Sequence, residues 1–265
     1  MKKTLSEGAI AGHMMHLYEN TDLSFADIAK VFHDAANGKL EFTEKTDGQN
    51  NYLSFNLQAQ EARAARNKGH QAIGGVNIDG LRKFFTTDRT EAGKNPAPGS
   101  VVEAFIQSMA SFERVVKSFP IEVQEELFLD ENDNPIFYNT EVMAVENPNV
   151  INYDKDTLLV HQVGHKKRNP ETKRFEDLEN NEISKYLQNL NNALEKFNDS
   201  VREQKFSLEI NNIKTLDALK DKKILEKAIL ELQREVNAAG LGMSDTIGDY
   251  VVAKADNYLA EKAGF

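Results

Sequence analysis

The sequence predicts an α+β protein, and three observations carry the prediction. Apolar residues at helical spacing lie in the opening residues, period-two alternation follows in several short runs, and charged, helix-spaced sequence runs from residue 166 onward. The chain accordingly divides into an α+β core with N-terminal helices over residues 1–165 and a helical, charged region over residues 166–265, an insertion or accessory part.

Taken in order, the first element is a helix. Ser24 is a suitable N-cap, Phe25, Ile28, Val31 and Phe32 share one face, and Asn37-Gly38 is a stop. Residues 40–46 alternate as a strand does. Residues 51–57 do the same, with Tyr52, Ser54 and Asn56 opposite Leu53, Phe55 and Leu57, and a third short strand covers residues 61–66. Gly69, Gly74, Gly75 and Gly80 mark a loop entering a short helix. No Lys-Ser/Thr follows the Gly74-Gly75 pair, so it is no P-loop.

Asn95-Pro-Ala-Pro-Gly-Ser100 is a break. The helix after it turns Val101, Val102, Phe105, Met109, Phe112, Val115 and Val116 inward. Asp130 to Pro135 is a turn, and residues 136–145 and 157–164 read as two strands. Further on, Ile213, Leu216 and Leu219, then Leu225, Ala228, Ile229, Leu232 and Val236, follow helical spacing. Gly240 ends that run, and a last helix covers about residues 245–263.

Composition removes several classes of function. A hydrophobic fraction of 40% supports a sizeable core and argues against a disordered chain. No apolar run is long enough to span a membrane, and the basic N-terminus lacks the apolar stretch of a signal peptide, so no membrane role is expected. Cysteine is absent, which excludes disulfides and thiolate chemistry and fits a reducing, cytoplasmic setting. The net charge of −10 opposes a simple nucleic-acid-binding module, which wants a basic footprint, but not an enzyme with a local basic groove. The best basic cluster, Lys166-Lys167-Arg168 with Lys173-Arg174, reads as a solvated loop. His13 and His16, three apart on one helix face, have the spacing to share a metal, but read first as two partly buried histidines.

One constellation carries chemistry. Glu44-Lys45-Thr46-Asp47-Gly48-Gln49-Asn50 sits at the bend between the first two strands. Arg66-Asn67 follows after one hairpin, Glu141 lies in Phe137-Tyr-Asn-Thr-Glu141, and His161 ends Leu158-Leu-Val-His161. A lysine amine is a nucleophile once burial or neighbouring cations strip its proton. An aspartate can orient that amine or hold a metal-bound water, and a glycine admits a close backbone approach. An arginine clamps phosphate in bidentate fashion, and a glutamate accepts hydrogen bonds from ribose hydroxyls.

This ordered set resembles the nucleotidyltransferase superfamily of ATP-dependent DNA ligases, RNA ligases and capping enzymes. The likeness is strongest to phage RNA ligases that seal duplex nicks, and it covers about residues 35–165. The resemblance implies an antiparallel-sheet adenylation core in which Lys45 becomes covalently bound to AMP and Asp47 assists it. It implies nucleotide contacts from Glu44, Gly48, Asn50, Arg66, Glu141 and His161, with magnesium near Asp47 and Glu141. It further implies ATP and Mg2+ as cofactors, DNA or RNA ends as substrate, and action in a host cytoplasm if the chain is of phage origin. The helical C-terminal region is then available to a protein partner. Gly12-His-Met-Met-His16 adds a weaker similarity to phage proteins.

The later motifs of such enzymes, a Glu-Gly pair and a Lys-x-Lys pair, are not found. Leu208-Glu209-Ile210 sits on a possible strand but lacks the glycine, and Lys220-Asp-Lys222-Lys223 reads as an exposed turn between helices. Two explanations stay open: a chain that continues past Phe265, or a divergent domain that keeps the nucleotide pocket without full catalysis.

Overall fold

A computed structural model describes residues 19–43, 46–146 and 151–263. The first elements are α1 (Phe25–Ala36), β1 (Glu41–Phe42), β2 (Gln49–Asn56), β3 (Glu61–Ala65), α2 (Lys68–Ala72), α3 (Ile78–Phe85) and α4 (Thr87–Glu91). Next come α5 (Gly99–Lys117), α6 (Ile121–Phe128), β4 (Ile136–Met143), β5 (Thr157–Val160), β6 (Lys166–Arg168) and β7 (Phe175–Asp177). The rest are α7 (Asn180–Lys196), α8 (Asn198–Arg202), β8 (Ser207–Ile210), β9 (Lys214–Thr215), α9 (Lys223–Ala238) and α10 (Ile247–Ala263). The fold is α+β with a mixed sheet.

Two compact units are present. One holds the described residues of Glu44–Asn212, the other those of His13–Thr43 and Ile213–Phe265. Residues 166–212 therefore group with the larger unit, and α1 with the chain's C-terminal helices.

The larger unit is built on a sheet of order β3-β2-β4-β5-β8. The first four strands are antiparallel neighbours, whereas β8 runs parallel to β5. The expected purely antiparallel sheet is thus corrected to a mixed one. A parallel partner needs a crossover of a dozen residues or more, and the β6–β7 hairpin, α7 and α8 supply it. That stretch also adds short strands to the region 166–265, whose described residues are otherwise mostly helical, as read from sequence. Lys166-Lys167-Arg168 is a strand paired with β4 and β7, not a loop.

Pleating sorts the strands into two faces. Leu53, Phe55, Ala64, Tyr138, Val142, Leu158 and Val160 fill one face and pack on Phe105, Met109, Phe112 and Val116 of α5. Each such buried side chain contributes on the order of 1.5–3 kcal/mol, so this layer fixes the register. A slip of one residue would turn the opposite, polar face of β2 and β4 inward.

In the smaller unit, α1 begins as its sequence predicts. Ser24 and Asp27 form a capping box, and Phe25 and Ile28 pack with Val236, Leu232 and Tyr250. Phe32, expected inward, is exposed. β1 pairs with β9 within this unit, so Glu41–Phe42 is not a strand of the main sheet, where the strand expected over 40–46 would have placed it. The chain leaves α1 through Gly38, whose φ of +67° suits glycine and whose absent Cβ leaves room for the carbonyl of Leu216. Leu216 and Leu219 lie in extended sequence before α9. Among the described residues no helix is long and apolar enough to cross a membrane.

Candidate functional site

The polar face of the sheet gathers the residues singled out from sequence. Asn50 on β2 pairs with Glu141 on β4, and Glu141 with Leu159 on β5. Two residues along the strands the same face carries Tyr52 beside Asn139, with His161 just past the end of β5. Period-two pleating therefore puts Asn50, Glu141, Asn139 and His161 on one surface although they come from three distant stretches of chain.

Glu141 is the hub. It is only 8% exposed. Its Oε2 accepts the Thr46 hydroxyl and the His161 Nε2–H at 3.1 Å, and its Oε1 accepts the Gly48 backbone N–H. Burial alone would raise its pKa, but the bonds from His161, Thr46 and Gly48 outweigh burial and hold it below the usual carboxylate value. A carboxylate offers about four lone-pair positions. Three of them accept the bonds from Thr46, His161 and Gly48.

Gly48 makes a close approach to β4. A Cβ there would lie 2.6 Å from the carbonyl oxygen of Val142 and 2.7 Å from Glu141 Cγ. The glycine lets the 46–48 segment lie against β4. Asp47 fastens the same segment from the other side. Its N–H donates to the Tyr153 hydroxyl at 2.8 Å, and its Oδ2 accepts the Ile151 N–H at 3.1 Å. Glu44 and Lys45 lie outside the described residues, as do His13 and His16.

Asn50 donates to Asn139 Oδ1 at 2.6 Å. Asn139 is in turn tied to the loop after β5: its Nδ2 donates to Val163 O at 3.0 Å, and its backbone N–H donates to Nδ1 of His165 at 3.0 Å. His165 Nε2–H donates to His161 O at 2.8 Å, so the neutral tautomer is fixed. Burial holds the His165 pKa down at about 4. Sequence reasoning missed Asn139, His165, Thr46 and Tyr153. A usable signal was the pair Asn139 and Glu141, polar residues two apart in a strand whose intervening residues are Tyr138, Thr140 and Val142.

Arg66 is not brought to this surface. It follows β3 one residue after Ala65 and leaves with the parity of Ala64, on the helical side of the sheet. Its guanidinium lies 4.1 Å from the Phe105 ring centre and 5.3 Å from that of Phe85. Burial lowers its pKa to about 10, and no acceptor or carboxylate among the described residues bonds its guanidinium. It sits at the same end of the sheet as Asn50, two strands from Glu141, roughly 10 Å between backbones. Asn67 caps α2 through the His70 N–H at 2.8 Å.

The carboxylates at hand are poorly suited to caging a metal. Glu141 and Asp47 are engaged with hydrogen-bond donors, and no group of three or more His, Cys, Asp or Glu among the described residues is arranged to hold an ion. The basic cluster is also spoken for. Lys166 pairs with Asp177, Lys167 lies 3.5 Å from Glu182, and Arg168 donates to the carbonyls of Gln71 and Ala72. Lys222, one of the lysines weighed for the late motif, bonds Asn37 within the smaller unit. Comparison with protein-family models, curated proteins and solved structures finds no match for the chain.

Proposed function

We propose that the chain is a polynucleotide ligase-like nucleotidyltransferase with a ligase-type adenylation fold. In this reading the Lys45 amine attacks the α-phosphorus of ATP, a P–N bond forms, and pyrophosphate leaves. AMP then passes to the 5′-phosphate of a DNA or RNA end, and a 3′-hydroxyl displaces it. Magnesium enters bound to the nucleotide's phosphates, where it offsets charge on the transferring group.

One observation carries the reading. The carboxylate of Glu141 bonds Thr46 and Gly48 of the Lys-Thr-Asp-Gly segment, touches His161, and shares a sheet row with Asn50. Three other residues of the ligase-like set, Gly48, Asn50 and His161, thus gather around the buried Glu141 carboxylate, which independent turns and strands would have little reason to do. The remaining lone pair of Glu141 suits a ribose hydroxyl, and the His161 ring beside it suits a base.

A second reading has its own support. Arg66 points to the opposite side of the sheet from Glu141, and Lys222 is tied to Asn37. Both favour a chain that holds a nucleotide or nucleic acid without completing transfer. Incubation with α-labelled ATP and magnesium separates the two. The first reading expects label on the protein that Lys45→Ala abolishes and Glu141→Ala reduces. The second expects ATP binding by calorimetry and no covalent label. Neither label nor binding removes both.

A further inference from the structure

Helix α10 carries its apolar side outward. Its first turn is held in the smaller unit. Ile247 and Tyr250 pack with Phe25 and Val236, the Tyr250 and Phe25 rings lie 5.8 Å apart, and the N–H groups of Ile247 and Gly248 donate to the carbonyls of Leu23 and Thr21. No residue of the helix is buried, and Val251, Val252, Tyr258 and Leu259 are each 58% to 62% exposed. At about 3.6 residues per turn these four share one face with Ala255, an arc of roughly 160° that points away from Tyr250. Lys262 interrupts the arc only in the last turn, where its stem can lie along apolar surface and its charge reach water. A helix of a globular protein ordinarily turns such a face to its own core. The stretch 251–263 is also near the length, roughly 12–15 residues, below which an unpacked helix is marginal in water.

The charges beside this face favour one occupant, a second copy of the chain. Asp249 and Asp256 flank the arc on one side, Lys254 and Glu261 on the other. When two such helices pair in parallel about a two-fold axis, the first flank of each meets the second flank of its mate at the same level. Lys254 then falls between Asp249 and Asp256 of the other copy. In an antiparallel pair the aspartate flanks would meet each other. Among the described residues of its own chain the Lys254 ammonium meets only the Tyr250 ring, 5.3 Å away, so it is available for that bridge. A lipid or nucleic-acid surface fits less well. The helix sets Asp249, Asp256 and Glu261 against two lysines, in a chain of net charge −10, and gives an anionic surface nothing to hold.

We infer that α10 is a self-association surface, through which two copies of this chain pair in parallel along Val251, Val252, Ala255, Tyr258 and Leu259. The pairing is independent of adenylyl transfer. Two helices about 25 Å long cover less than the roughly 800 Å2 per partner of a stable complex, so the dimer depends on concentration. Sedimentation velocity of the chain from about 5 to 500 µM is the test, with a shift from monomer to dimer expected. Leu259→Lys alters an exposed side chain, so the fold should survive, by circular dichroism, and dimerisation should weaken by about a hundredfold. Ala260→Lys, on the back of the helix, should change nothing. Lys254→Glu should weaken the dimer, and adding Asp256→Lys should recover part of the loss. The chain has no cysteine, so Val252→Cys and Leu259→Cys report direction. Each should oxidise to a cross-linked dimer by itself, whereas cross-linking only when the two variants are mixed would overturn the parallel pair. A monomer at every concentration would overturn the inference, whether or not it binds phosphatidylcholine vesicles. So would a dimer that Leu259→Lys leaves intact or that Ala260→Lys weakens equally.

Discussion

His165 makes the stability of the larger unit sensitive to mild acid. Its ring is fully buried, with Nδ1 accepting the Asn139 N–H and Nε2–H donating to His161 O. A second proton has to enter at Nδ1, which breaks the bond to Asn139 and places a cation in the core. Burial, the largest cause, therefore brings the folded pKa down to about 4 from 6.5. The unfolded chain takes its proton near pH 6.5. Between these values the unfolded state binds the extra proton, so stability is intact above about pH 7 and declines as pH falls toward 4. At pH 5 the two values correspond to a loss of about 2 kcal/mol relative to pH 7.5. Urea unfolding at both pH values, for the parent and for His165→Gln, isolates the contribution from other titrating groups. The parent should lose about 2 kcal/mol more than the variant over that interval. A His165 resonance titrating near 6.5 in the folded protein, or equal pH slopes for the two proteins, would refute the reasoning.

Other substitutions probe neighbouring parts of the same argument. Gly48→Ala should destabilise the larger unit by about 1–3 kcal/mol, because its Cβ meets the backbone of β4 rather than a movable side chain. A melting temperature equal to that of the parent would contradict the close approach. Thr46→Val removes one donor from Glu141, so the carboxyl pKa should rise and the Gly48 amide should exchange faster, by about fivefold. Hydrogen exchange read by NMR decides it. Asn51 is fully buried with both amide atoms unpaired, so Asn51→Leu should stabilise by about 1 kcal/mol in chemical denaturation. A loss of stability there would mean that the amide has a partner of its own.

The sequence was most readable where one local rule decides the outcome. Ser24 with Asp27 and Asn37-Gly38 delimit α1, and the apolar spacing from Val101 to Val116 gives α5. Strand β2 follows from the alternation of Leu53 and Phe55 with Tyr52 and Ser54. It was least readable where pairing across the chain decides. Glu41 and Phe42 alternate as any short strand does, and only their partners Lys214 and Thr215 show that they leave the main sheet. Leu208-Glu209-Ile210 reads as a possible strand, but only the pairing shows that it takes the edge of β5, and in parallel. The lysines and arginine at 166–168 resemble a solvated loop until Asp177, Glu182 and two carbonyls supply their partners.

The candidate site divides along the same line, and parity is the reason. Motif order places Glu141 and Arg66 in one list, but side-chain direction depends on whether a residue falls on an odd or even step of its strand. Glu141 shares its step with Asn50, and Thr46, Gly48 and His161 come to it. Arg66 shares its step with Ala64, so its guanidinium goes to Phe105 on the helical side. A phosphate bound by both Glu141's neighbours and Arg66 would have to sit beyond the end of the sheet, where neither face blocks it. That end is also where the Lys-Thr-Asp-Gly segment enters β2. In the proposed nucleotidyltransferase reading, a nucleotide touching both would lie across the sheet's end with its ribose toward Glu141. Arg66 would then have to leave Phe105 and reach past the end of β3. A ligand that protects the Arg66–Phe105 contact from change while binding at Glu141 would show that the two residues serve different purposes.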